Sequence, residues 1–274
     1  AHSIEAVIFT HTLTLGVMLS FMFAALFQML PVIAGVKLTS PVLKANLLLY
    51  PFILGIITLL FAFHLTNISW LFLLASVFLG TSLLGIVIIM VKNLFSLENH
   101  TASSKGVTYT LLSLGLVVLF ALYLTAALAG STEGSHYSQI KEAHYSFGLY
   151  GWIALLIISI SFQAIEMFYV TPSYPKLVSK FMPVALFSLL LVSTIVGIFY
   201  PDIWILANIL IALLLGSYAL LTLKRFTQRK RPLTDATVWF WRLGLSSLLV
   251  SMLSLLVTLF MNNDSIKALS YIAF

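Results

Sequence analysis

The feature that most constrains this chain is its division into long, almost uninterrupted apolar runs parted by short polar breaks. Eight runs can be read, at 6–35, 45–65, 69–92, 107–129, 140–170, 180–200, 203–223 and 236–261. A helix rises ~1.5 Å per residue, so about 20 residues cross a ~30 Å hydrocarbon layer. Every run meets that length. A membrane barrel would instead show alternating segments of about 10 residues. The breaks hold turn-forming residues: Thr39-Ser40-Pro41, Asn67, Ser103-Ser104, Gly130-Ser131, Thr171 to Pro175, Tyr200-Pro201-Asp202 and Gln228 to Pro232. Only 8% of the 274 residues are charged, against about 25% in soluble domains. A soluble surface could not be covered with so few. The expected fold class is all-α, a polytopic membrane helical bundle of about eight transmembrane helices, with the lipid bilayer as its main partner.

Charge placement then predicts orientation. Eleven of the fourteen Lys and Arg residues fall in the loops after runs 1, 3, 5 and 7: Lys37, Lys44, Lys92, Lys105, Lys176, Lys180, Lys224, Arg225, Arg229, Lys230 and Arg231. The opposite side holds Lys141 and Lys267, and Arg242 lies inside the last run. Positive loops stay in the cytoplasm, so the N-terminus is expected outside, on the periplasmic face of a bacterial inner membrane. No run reads as a cleavable leader, and no nucleic-acid motif accompanies the net charge of +6. The absence of cysteine excludes disulfides, thiolate metal sites and cysteine nucleophiles.

The chain also carries an internal repeat. His11, Gly16, Phe27 and Gln28 align with Ser146, Gly151, Phe162 and Gln163 at a constant offset of 135. Thr108 with Leu114-Gly115-Leu116 matches Thr237 with Leu243-Gly244-Leu245, and Leu79-Gly80 matches Leu215-Gly216. An even number of crossings keeps two such units the same way up. The expected organisation is two parallel four-helix repeats, 1–130 and 131–262, with 263–274 an outer tail or the start of a further helix. The last part of that tail, Ile266-Lys267 and Tyr271, echoes Ile140-Lys141 and Tyr145 ahead of run 5.

Candidate chemistry rests on histidine. An imidazole inside a span is rare without a partner and marks a functional candidate. His11 and His144 sit at similar depth on the equivalent runs 1 and 5, toward the outer face, and His64 closes run 2. Two imidazoles at one depth on facing helices suit the axial positions of a single haem. In α-helical geometry Gly148 and Gly151 continue the face of His144 at i+4 and i+7, leaving room for a flat ring. Leu15 and Met18 hold the corresponding places after His11. The plainer alternative has each histidine bonded to a neighbouring helix or to interfacial water. A third has a simple metal ion bound with His64 or His2. Glu166 and Arg242 lie at similar depth and are expected to form an ion pair. Trp239 and Trp241 read as interfacial belt residues.

The stretch His144-Tyr145-Ser146-Phe147-Gly148-Leu149-Tyr150-Gly151-Trp152 resembles a ligand helix in the catalytic subunits of the haem–copper oxidase superfamily, closest to members with b-type haems throughout. The family pattern there is His-x-His-x-Gly-x-x-Gly-Trp. His144, Gly148, Gly151 and Trp152 match it, and Ser146 stands at the second histidine. Run 1 looks like another copy, with His11 at that second position and Pro31 at the family's proline further on. The resemblance implies arcs of four helices with ligand histidines near the outer face. It also implies one haem b held by His11 and His144, with Gly148, Gly151 and Trp152 against it. The family's copper site needs a His-His pair, which this sequence lacks, so no copper and no copper-dependent oxygen reduction are expected. The function expected is that of a membrane redox protein working in electron transfer or in gas or haem binding, served by a membrane or periplasmic electron donor or by respiratory-complex subunits. The alternative is a cofactor-free transporter, or an accessory or assembly subunit of a respiratory complex. No hydrolase spacing is present.

Overall fold

The computed structural model describes residues 3–35, 39–200, 204–231 and 235–260. Eight of its helices are long and apolar enough to cross a membrane: α1 Ile4–Val32, α2 Pro41–His64, α3 Trp70–Phe95, α4 Ala102–Leu128, α5 Tyr137–Tyr169, α6 Lys176–Phe199, α7 Ile205–Thr227 and α8 Ala236–Leu259. No strand occurs among the described residues. The protein is an all-α polytopic bundle, as its apolar runs require, because only hydrogen-bonded helices or closed barrels satisfy the backbone within lipid. His2 and the segment 263–274 fall outside the described residues.

Helix bounds differ from the apolar runs in one systematic way. At the lysine-bearing ends the helices run on: α2 takes in Lys44, α4 Lys105, α6 Lys176, and α7 Lys224 and Arg225. Hydropathy stops at the first lysine, but backbone hydrogen bonding does not. The long side chain carries its ammonium outward while its stem stays with the apolar surface.

The chain divides into two compact units, Ala1–Ala154 and Leu155–Phe274. The division falls within α5, so units defined by packing do not coincide with the boundary read from the sequence pattern at 130/131.

In the first unit α2 lies along α3, α3 along α4, and α4 along the start of α5. Close approach of α2 to α3 depends on Gly55, where a Cβ would come within 2.7 Å of Leu79 Cγ and 2.9 Å of the Leu79 backbone N. Polar groups bind the helices together as lipid-buried interfaces require. The Ser82 hydroxyl donates to Leu48 O at 2.6 Å, and the Ser76 and Thr125 hydroxyls meet at 2.6 Å. A core of Leu59, Ala62, Phe72 and Ala75 receives Leu15 from α1.

In the second unit α7 packs between α6 and α8. Three hydroxyl pairs tie this unit together: Tyr218 donates to Ser161 at 2.8 Å, Tyr174 to Thr222 at 3.1 Å and Tyr169 to Thr237 at 2.8 Å. Burial pushes the loop phenol Tyr174 above its ordinary range. Asp235 caps α8, accepting from the Thr237 hydroxyl and the Val238 N–H, and those bonds hold its carboxyl below the usual range.

Candidate haem-ligand site

The site is built from α1 and α5 inside the first unit. His11 and His144 are each the eighth residue of their helix, counted from Ile4 and Tyr137. Beyond each histidine the helix widens into a π-wound stretch, Thr12–Leu19 in α1 and Phe147–Ala154 in α5. The two stretches are each eight residues long and begin 135 positions apart, the offset of the sequence repeat. π-Wound turns are uncommon and concentrate at functional positions, because they re-aim side chains relative to the rest of the helix.

The two imidazoles face one another across a short gap. Their ring centres lie 6.4 Å apart and their planes are 14° from parallel. A metal held at ~2 Å by one nitrogen of each ring would set the centres about 6 Å apart. The observed separation is compatible with that spacing and too long for a hydrogen bond between the rings.

Hydrogen bonding fixes which nitrogen is free. His11 Nδ1 lies 2.8 Å from Val7 O, one turn earlier in α1. His144 Nδ1 lies 3.1 Å from Val117 O on α4. A carbonyl only accepts, so each Nδ1 is the protonated donor, and in the neutral ring Nε2 keeps the lone pair. Metal-bound histidines use this arrangement, since the carbonyl orients the ring and raises the basicity of the ligating nitrogen.

Around the pair, Phe63 stands 5.3 Å from the His11 ring. Trp152 is buried, its ring 5.7 Å from Phe23, and its indole Nε1 has no hydrogen-bond partner. A Cβ on Gly148 or on Gly16 would meet nothing within 4 Å, so both positions border open space. Gly151 is buried within the π stretch. The pair would suit a group that takes two imidazole nitrogens, since the ring spacing and the Nδ1 bonds leave both Nε2 lone pairs available.

Several sequence expectations change. The i+4 and i+7 relation of Gly148 and Gly151 to His144 belongs to α geometry, whereas the backbone from 147 to 154 is π-wound, so these glycines do not follow the histidine's face by simple spacing. Leu15 turns into the core between α2 and α3 rather than lining the gap. His64 is exposed at the end of α2, and Phe63 beside it is the residue that reaches His11. Among the described residues no three His, Cys, Asp or Glu side chains converge as a metal site, so His64 forms no such group with the pair. Nor do Glu166 and Arg242 make the expected ion pair. Glu166 accepts from the Tyr174 N–H at 2.8 Å, while Arg242 lies 5.2 Å over the Trp239 ring. The π stretches, the Val117 carbonyl and Phe63 were not anticipated. The constant offset of 135 was the available signal for the first of these.

Compared with protein-family models, with curated proteins and with solved structures, the chain matches none.

Proposed function

We propose that this protein is an integral-membrane electron-transfer protein that holds one haem b between His11 and His144. The observation that carries the reading is the ring pair: nearly parallel imidazoles with centres 6.4 Å apart, each Nδ1 committed to a backbone carbonyl. Haem bound there supplies a reversible one-electron iron couple. His11 and His144 would hold it through their Nε2 atoms, leaving no ligand position for a further molecule. That favours electron transfer over gas binding. Phe63 against the His11 ring lowers water access there, which would tune potential.

The lysine-rich loops support an outer-face position for the histidine end of α1 and α5. In this reading the protein lies in a bacterial inner membrane, and its redox partner is a periplasmic or membrane-bound donor or a respiratory-complex subunit. The resemblance to haem–copper oxidases supports a b-type group. The missing His-His pair argues against copper.

The test is a reduced-minus-oxidised spectrum and a haem assay on protein expressed with ample haem. One b-type haem per chain is expected, in the low-spin form that two imidazoles impose. His11→Ala and His144→Ala should each abolish or shift the Soret band, and His64→Ala should leave it unchanged. A haem-free wild type, or an unaltered Soret band in both alanine variants, would falsify the assignment.

A further inference from the structure

The second unit carries a polar cluster unrelated to the histidine pair, where the loop after α5 meets the end of α7. The segments are tied together. Lys230 N donates to Val170 O at 3.1 Å and Arg231 Nη1 to Phe168 O at 3.4 Å. The Tyr174 hydroxyl donates to Thr222 on α7 at 3.1 Å. Val170 is held at φ +51°, a costly conformation for a β-branched residue that persists only where its surroundings over-determine it. Within this locked corner two side-chain atoms are buried with no hydrogen-bond partner: Thr171 Oγ1 and Arg225 Nε. Buried polar atoms are nearly always paired, and two orphaned ones on the segments that this corner joins ask for a ligand.

Charge says which ligand. Lys176, Lys180 and Lys224 are exposed on the same end of the unit. The two described acids of this unit stand at the corner itself. Glu166 accepts from the Tyr174 N–H, and Asp235 is engaged by Arg231 at 3.4 Å and by its capping bonds. Against those two carboxylates stand Lys176, Lys180, Lys224, Arg225 and Arg231, so the corner keeps an excess of positive charge, with a guanidinium whose Nη1 donates to Gln228 at 2.9 Å and a free hydroxyl, at the helix ends where lipid headgroups lie. A guanidinium with a hydroxyl suits phosphate oxygens, and basic pockets between helices at the membrane surface take anionic headgroups.

We propose that Arg225 and Thr171 form a site for the phosphate of an anionic phospholipid, rimmed by Lys176 and Lys224. The site orders the junction of the two loops and is independent of haem.

The experiment titrates the purified full chain, in neutral detergent, with phosphatidylglycerol or with phosphatidylcholine, reading bound lipid by native mass spectrometry. Phosphatidylglycerol should bind about tenfold more tightly than phosphatidylcholine. Arg225→Gln and Thr171→Val should each weaken phosphatidylglycerol by several-fold, and Lys180→Gln by much less. Thr171→Val removes only an unpartnered hydroxyl, so it tests the site even if Arg225→Gln fails to fold. Equal losses in Thr171→Val and Lys180→Gln would mean a diffuse positive surface and overturn the proposal. Displacement of the lipid by equimolar inorganic phosphate would show a free-anion site and overturn the lipid assignment.

Discussion

A single nitrogen assignment underlies the functional reading. Because carbonyls occupy Nδ1 of both histidines, the chemistry passes to Nε2, and a change at Val117 that moved its carbonyl would act on His144 without touching the gap. Glycines separate packing from vacancy at the same scale. Gly55 has no room, its missing Cβ already within 2.9 Å of backbone. Gly55→Ala should destabilise the protein by roughly 1–3 kcal/mol, since α2 and α3 must part. Gly148 borders empty space, so Gly148→Ala should be neutral or stabilising by up to ~1 kcal/mol. Thermal unfolding of the two variants in detergent compares them directly. A Gly55→Ala protein as stable as the wild type would contradict the close helix approach.

At the scale of elements, the two π stretches do what an α-helix cannot. They change the rotation between each histidine and the residues that follow it. Removing one residue inside such a stretch, Leu13 for example, lets the helix return to α winding. The rest of α1 then turns by roughly a quarter of a circle relative to His11. The expected outcome is a membrane-inserted protein with normal helix content by circular dichroism and a lost or shifted Soret band. An unchanged spectrum would mean that the π winding has no part in aligning the pair. The lysine-bearing ends teach a different lesson. Hydropathy reads the membrane core rather than the helix, so α2, α4, α6 and α7 all run past the points where apolar character ends.

Over the whole molecule, orientation is the next quantity to measure, and the sequence makes it accessible. With no cysteine in the chain, single introduced thiols have no background. Ser135→Cys, in the loop before α5, should react with an impermeant reagent from outside. Gln228→Cys, after α7, should react only once the membrane is opened. The reverse pattern would reverse the topology and place the histidine pair at the inner face.

The number of crossings and the all-α class were legible in the sequence because apolar run length answers to membrane thickness alone, a local quantity. The offset of 135 read in the sequence is also the spacing between the π-wound stretches Thr12–Leu19 and Phe147–Ala154. Tertiary structure alone decided the rest. It brought the rings of His11 and His144 to 6.4 Å between centres and chose Phe63 over His64 as the neighbour of His11, since one residue of helix rotation separates a ring that faces the pair from one that faces away. It set Glu166 against a loop N–H and Arg242 against Trp239, because depth along a helix says nothing of direction around it. Depth is counted along the chain, but facing depends on winding and packing, and those arise only when the helices meet.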